Sequence, residues 1–164
     1  MSDTVNVAII GVGNCASSLV QGVQYYKDAN PDEFVPGLMH VDLGGYHIRD
    51  INFTAAFDIN ATKVGTDLSA AIFAEPNNTI HLADVPDLGV NVERGMTHDG
   101  LVKYRSDVLT KAPGPTADTS AILRDTITPV AARYLPHGSV NASKRHADQI
   151  LHAACAYVHL LPGF

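Results

Sequence analysis

Val5-Asn6-Val7-Ala8-Ile9-Ile10-Gly11-Val12-Gly13-Asn14-Cys15-Ala16-Ser17-Ser18 is a short apolar, β-branched run that ends in a Gly-x-Gly turn and opens into a segment with helical spacing. The first βα unit of a dinucleotide-binding domain begins in this way. Each part has a physical task. One glycine lets the backbone turn sharply out of the strand, and the next lets a pyrophosphate come close to the main chain. The helix beyond offers unpaired N–H groups and the positive end of its dipole. Ala16 stands where the pattern usually has a third glycine, a substitution the fingerprint tolerates.

Working outward, Ala16, Leu19, Val20, Val23 and Tyr26 recur at spacings of three and four and predict a first helix packed on the sheet. Asn30-Pro31-Asp32, Pro36-Gly37 and Gly44-Gly45 then break the pattern, so residues 28–50 are expected to be an insertion between the first helix and the second strand. That strand is Asn52 to Phe57, closed by Asp58. In a simple dinucleotide unit the ribose-binding acid lies roughly twenty residues beyond the glycines. Asp58 lies farther on, and the insertion accounts for the excess. A carboxylate at that strand end is placed to grip an adenosine ribose and to repel a 2′-phosphate, which favours NAD over NADP.

Farther along, Lys63 to Phe73 reads as a short amphipathic helix, Val90 to Glu93 as a strand, and His98 to Leu109 as a helix capped by Thr97. A loop over 111–117 leads to a helix from Asp118 to Thr126, a strand from Pro129 to Leu135, a helix from Asn141 to Ala154 and a strand from Ala156 to Leu161. The order predicts an α/β fold, Rossmann-like and doubly wound, with a mostly parallel sheet. At 164 residues a single domain over 1–164 is expected.

Composition narrows the partners. Eleven basic against seventeen acidic residues, formally −6, with the basic ones scattered, speak against nucleic acid. No run approaches a transmembrane helix and the N-terminus lacks signal-peptide grammar, so no membrane and a cytoplasmic location are expected. Cys15 and Cys155 do not form a disulfide framework or a metal knuckle. Cys15 at a helix start is a candidate reactive thiol, but a small, half-buried packing residue is the expected role. His40, Asp42, His47 and Asp50 follow no recognised ligand spacing, so loop structure and subunit contact are expected there and no metal site is assigned.

Together these features resemble the actinobacterial-type inositol-3-phosphate synthases, also called myo-inositol-1-phosphate synthases. The resemblance is carried by Gly11 to Val20, by Pro36-Gly-Leu-Met-His-Val-Asp42, and by Gly44-Gly-Tyr-His-Ile-Arg-Asp50. Ala56-Phe-Asp58-Ile, Asn77-Asn-Thr-Ile, Asp84-Val-Pro and Tyr134-Leu-Pro-His-Gly-Ser139 complete it. It is dense from residue 5 to about 110 and thinner beyond. The resemblance implies an isomerase of inositol and phospholipid biosynthesis. With tightly held NAD, it oxidises glucose 6-phosphate, cyclises the ketone and reduces the product to inositol 3-phosphate. It implies that Gly11, Val12, Gly13, Asn14 and Cys15 face the pyrophosphate and Asp58 the ribose. Leu135, Pro136, Gly138 and Ser139 would border the cofactor on its other side. Some members of the family also use a divalent cation near the cofactor.

Arg133, His137 and His159 depart from the family pattern near the expected nicotinamide end. The family's chain is also about twice as long, and its catalytic lysines and oligomerising sheet fall beyond the point matched by residue 164. Lys27, Lys63, Lys103, Lys111 and Lys144 match none of those lysines, so no catalytic residue is assigned. The expectation is therefore the NAD-binding part of such a synthase, incomplete for catalysis alone and working as a homo-oligomer or within a larger assembly. The alternative is a shortened, inactive homologue serving as a structural or interaction subunit, for example in a virus.

Overall fold

The computed structural model describes residues 4–97, 109–135 and 140–160. The strand β1 (Val5–Ile10) lies at the centre of a sheet in which every pairing is parallel. It is followed by the helix α1 (Asn14–Tyr25), then by β2 (Asp42–Leu43) and β3 (Tyr46–His47), a separate antiparallel hairpin, and by a 3₁₀ turn at Ile48–Asp50. Next come β4 (Ile51–Asp58), a single helical turn α2 (Leu68–Ala71) and β5 (Val92–Arg94). The rest is α3 (Thr119–Asp125), β6 (Val130–Arg133), α4 (Val140–His152) and β7 (Ala156–His159). The strand order is β5-β4-β1-β6-β7. The chain thus builds outward from β1 to one side and then to the other, which is the doubly wound α/β order.

A parallel sheet covered on both faces needs strands that are apolar at consecutive positions. In β1 alternate residues divide between two cores. Val7 and Ile9 join Val12, Ala16 and Val20 of the α1 side together with Phe53, Leu68, Ile72 and Val92. Ala8 and Ile10 join Ala55, Phe57, Ala131, Leu123 of α3 and Ile150 of α4. The register sets Val5 against Ile51 and Val7 against Phe53, then slips between Val7 and Ala8 so that Ile10 meets Phe57. On the other side Val7 pairs with Val130 and Ile10 with Arg133.

The insertion is ordered by its glycines. Gly44 and Gly45, with φ of +65° and +85°, form the two-residue turn of the β2–β3 hairpin, a conformation that glycine adopts without strain. His47 Nδ1 accepts from Arg49 N (3.0 Å), and Asp50 Oδ2 accepts from His47 N (2.8 Å), which closes a capping box on the 3₁₀ turn. Because Nδ1 accepts, Nε2 carries the proton and donates to Ala29 O at 2.9 Å. The side chains of His47 and Asp50 are therefore used in holding the loop to the end of α1. Among the described residues no three His, Cys, Asp or Glu side chains are grouped to hold a metal ion, and no helix is long and apolar enough to cross a membrane.

Two local expectations change. The amphipathic helix expected over Lys63 to Phe73 shrinks to Leu68–Ala71, because Asn60 to Gly65 fold into turns that bring Lys63 underneath the sheet's carboxyl edge. Asp67 starts the helical turn, accepting from Ser69 N (2.8 Å), and also receives Leu88 N (3.2 Å) and Val90 N (2.8 Å) from the approach to β5. The buried face of α1 is also wider than its apolar stripe. Ser17 and Gln21 are buried beside Ala16 and Val20, since Gln21 Oε1 accepts from Leu82 N (2.6 Å) where the 80–83 segment crosses the helix. The helix expected over 98–109 lies outside the described residues except for its last position.

The Asp67 network has a pH signature. Burial raises the carboxyl's pKa, but the bonds from Ser69, Leu88 and Val90 outweigh it and leave it below the ordinary 3.8. A carboxylate whose folded pKa is depressed stabilises the fold above its unfolded value and loses that contribution as pH falls through the folded value. The melting temperature of wild type should therefore exceed that of Asp67→Asn at neutral pH, with the gap closing as the solution is acidified below 3.8. A gap that is independent of pH would mean the charge contributes nothing.

Candidate dinucleotide site

The site is built where β1 runs out, at the switch point between β4 and β6. Gly11 has φ +93° and its N–H donates to Phe57 O (2.8 Å), so the backbone turns while still tied to the neighbouring strand. A Cβ at Gly11 would lie 3.0 Å from Leu135 Cδ2 and 3.3 Å from the carbonyl carbon of Tyr134. Both the angle and the space require glycine there. Gly13 is different. Its φ is −94°, open to any residue, and a Cβ built on it meets none of the described residues within 4 Å.

Gly13 is also the N-cap of α1, and no side chain caps it. The first turn of the helix holds no acidic residue. The positive end of this twelve-residue helix is thus left without a counter-charge from its own first turn. Asn14 and Cys15 are exposed on this first turn. The half-buried packing role expected for Cys15 is therefore corrected: Ala16 and Ser17 face the sheet and Cys15 faces away.

Asp58 sits at the end of β4, where the sequence places it, but its carboxylate is already used by the main chain. Oδ2 accepts from Val12 N (2.7 Å), and Oδ1 accepts from Ile59 N (2.7 Å) and Asn60 N (2.9 Å). The side chain fastens the glycine turn to the second strand. Three N–H groups do not exhaust a carboxylate, which accepts about four, and Oδ2 holds only one of them.

Beneath the turn are residues that the sequence pattern did not single out. Lys63 is 3% exposed, and its Nζ donates to Val12 O (2.6 Å) and Asn77 Oδ1 (2.7 Å). Burial lowers the pKa of the ammonium from the ordinary lysine value, with the Asp58 carboxylate opposing that shift. Asn77 Nδ2 donates to Val12 O (3.1 Å) and Ile72 O (2.9 Å). The next two residues hold the helix start: Asn78 N donates to Asn14 Oδ1 (2.9 Å), and Thr79 Oγ1 to Asn14 O (3.1 Å). In the sequence Asn77-Asn78-Thr79 contributes only to a resemblance; its place as the floor of the turn follows from the fold.

On the far side, Leu135 packs under Gly11, and Tyr134 N donates to Ile10 O (2.8 Å). Burial, then the neighbouring Cys15, raises the pKa of the Tyr134 phenol to about 12, so it stays protonated. Pro136, Gly138 and Ser139, with His137, lie outside the described residues.

No family model matches the chain. Over 160 residues, 98% of its length, it is 52% identical to an inositol-3-phosphate synthase of Mycolicibacterium smegmatis, of which it covers 44%. Over nearly its whole length the chain is similar to part of the inositol-3-phosphate synthases. It spans less than half the length of the curated relatives it matches. The solved protein Ari2 superposes with a TM-score of 0.80 at 31% identity, covering 98% of this chain and 46% of that one. A myo-inositol-1-phosphate synthase-related protein from Thermotoga maritima, with a TM-score of 0.63 at 19% identity over 98% of this chain and 49% of its own, has the same fold.

Two of the three departures from the pattern of these synthases meet in the structure. Arg133 ends β6 at 1% exposure, and its Nη1 lies 2.9 Å from His159 Nε2 on β7. Burial and then the guanidinium lower the pKa of His159, which leaves its ring nitrogen free to accept. Arg133 lies in register with Ile10 of the neighbouring β1, at the carboxyl ends of both strands. The two unusual residues are thus one interaction across adjacent strands.

Proposed function

We propose that this chain is the NAD-binding part of an inositol-3-phosphate synthase and forms a single cofactor domain. The observation that carries this reading is Gly13. Among the described residues nothing in the packing or backbone angle calls for glycine at that position, which leaves the space beside it open to an outside group. A pyrophosphate approaching the helix start closely enough to exclude a methyl group fits that space. The residues fit. The N–H groups of Gly13, Asn14 and Cys15 are at the positive end of α1, with Gly11 and Val12 shaping the approach. Asp58 Oδ2 accepts a ribose hydroxyl while Val12 N–H keeps it in place. Leu135, beneath Gly11, borders the cofactor on its other side, the role that the resemblance also gives to Pro136, Gly138 and Ser139.

In the synthase reaction, glucose 6-phosphate becomes inositol 3-phosphate, and NAD when bound supplies reversible hydride transfer with no net redox change. This chain's share is to hold and orient the dinucleotide. Aldol closure needs cations to stabilise an enolate and a phosphate, and Lys63, buried under the turn, faces no substrate. Titration calorimetry of the chain tests the proposal. Micromolar or tighter NAD binding is expected, with NADP bound more weakly because Asp58 repels a 2′-phosphate. No heat with NAD would overturn it.

A further inference from the structure

The peptide group joining Val12 to Gly13 is held by its carbonyl from two directions, by Lys63 Nζ at 2.6 Å and Asn77 Nδ2 at 3.1 Å. The two donors are themselves joined, since Lys63 Nζ also donates to Asn77 Oδ1 at 2.7 Å. Asn77 is in turn tied to the end of α2 through Ile72 O. The preceding peptide is fixed as well, its Val12 N–H being bound by Asp58. A trans peptide is planar, and its C=O and N–H point in opposite directions. A carbonyl drawn inward onto Lys63 and Asn77 therefore turns the Gly13 N–H outward, away from the protein interior.

We propose that Lys63, acting with Asn77, is a positioning residue that aims the Gly13 N–H at an anionic ligand, the pyrophosphate of a dinucleotide. The proposal rests on the NAD reading above and adds to it how the turn is prepared before ligand arrives. A helix start presents its N–H groups wherever the backbone happens to lead. Here the decisive peptide lies outside the regular helix, where no intrahelical bond fixes it. A buried lysine is an expensive way to hold a carbonyl, because the ammonium must be desolvated. An aliphatic side chain at position 63 would leave Asn77 as the single remaining donor to Val12 O and would remove the tie that holds the Asn77 amide in its orientation. Lys63 touches no ligand; it acts through the Val12 carbonyl.

Calorimetric titration of NAD into the full chain, its Lys63→Met and Asn77→Ala variants and the double variant provides the test, together with amide NMR spectra of the ligand-free forms. Each single variant should bind NAD about tenfold more weakly, the scale of one hydrogen bond to a buried group. The double variant should lose little more, because both donors serve one carbonyl and their effects do not add. The Gly13 amide resonance should move in both single variants while that of Gly37, in the insertion, stays put. NAD binding unchanged in Lys63→Met, with the Gly13 amide in its original position, would overturn the proposal, as would strictly additive losses. If wild type gives no heat with NAD, the NAD reading fails by itself. The Gly13 resonance of the ligand-free variants then decides the positioning role. Should Lys63→Met not fold, Asn77→Ala carries the same two readouts.

Discussion

Gly13→Ala should leave the melting temperature nearly unchanged and weaken NAD binding about a hundredfold, whereas Gly11→Ala should destabilise the fold itself. At position 13 the new methyl enters open space at a permitted φ of −94°. The gain from a less flexible unfolded chain, about 0.4–1 kcal/mol, offsets the poorer N-cap. A hundredfold loss corresponds to roughly 3 kcal/mol and reflects a phosphate held off by one methyl. At position 11 the same methyl must accept φ +93° and approach the Tyr134 carbonyl carbon at 3.3 Å. The left-handed conformation costs about 1–2 kcal/mol and the overpacking about 1–3 more. Leu135 Cδ2, 3.0 Å away, can swing aside, but the backbone cannot. Thermal unfolding and calorimetry on both variants separate the two cases. Equal loss of stability at both positions would remove the argument that Gly13 serves a ligand.

The second large effect is at Asp58. Asp58→Ala removes the acceptor of three backbone N–H groups, from Val12, Ile59 and Asn60, and the counter-charge nearest Lys63. Hydrogen bonds to a charged acceptor are worth about 1.5–3 kcal/mol each, and partial solvent access reduces that, so a loss of roughly 3 kcal/mol is expected. For a chain of this size that is a fall of about 6–12 °C in melting temperature. Asp58→Asn should fall between the two, because its remaining oxygen can satisfy Ile59 and Asn60 while its amide group opposes the Val12 N–H. NAD affinity should drop in both, and NADP affinity should drop less in Asp58→Asn because the repelling charge is gone. A stability unchanged in Asp58→Ala would show that the three N–H groups find water instead.

Much of this arrangement is legible in the sequence where one residue type has one dominant cause. Val-Ala-Ile-Ile before Gly11 reads as a strand buried on both faces because both faces are in fact covered, by α1 and α2 on one and α3 and α4 on the other. Asp58 is legible by its place at a strand end. Lys63 is not, since a lone lysine in a segment with helical spacing resembles a solvated face. Its burial depends on turns at Asn60 to Gly65 that carry the chain back under β1. Gln21 was hidden for the same reason. Its neighbour, the 80–83 segment, arrives from some sixty positions away and supplies the main-chain N–H that makes burial of an amide acceptable. Periodicity reports which face meets a sheet, and these polar residues meet loops.

The central place of β1 has a consequence for how the molecule is made. Of the strands of the sheet this one is made before the others, yet one of its two flanking partners, β6, begins only at Val130. At about 5–20 residues per second, synthesis of the intervening chain takes on the order of ten seconds. During that interval β1 can pair with β4 alone, and the N–H and C=O groups destined for β6 lie open. The Gly11 turn receives its last wall, Tyr134 and Leu135, only when β6 docks. Such distant pairings slow folding and leave strand edges available to the wrong partners. A nascent chain interrupted before residue 130 should therefore engage chaperones and leave unprotected the β1 amides that bond to β6.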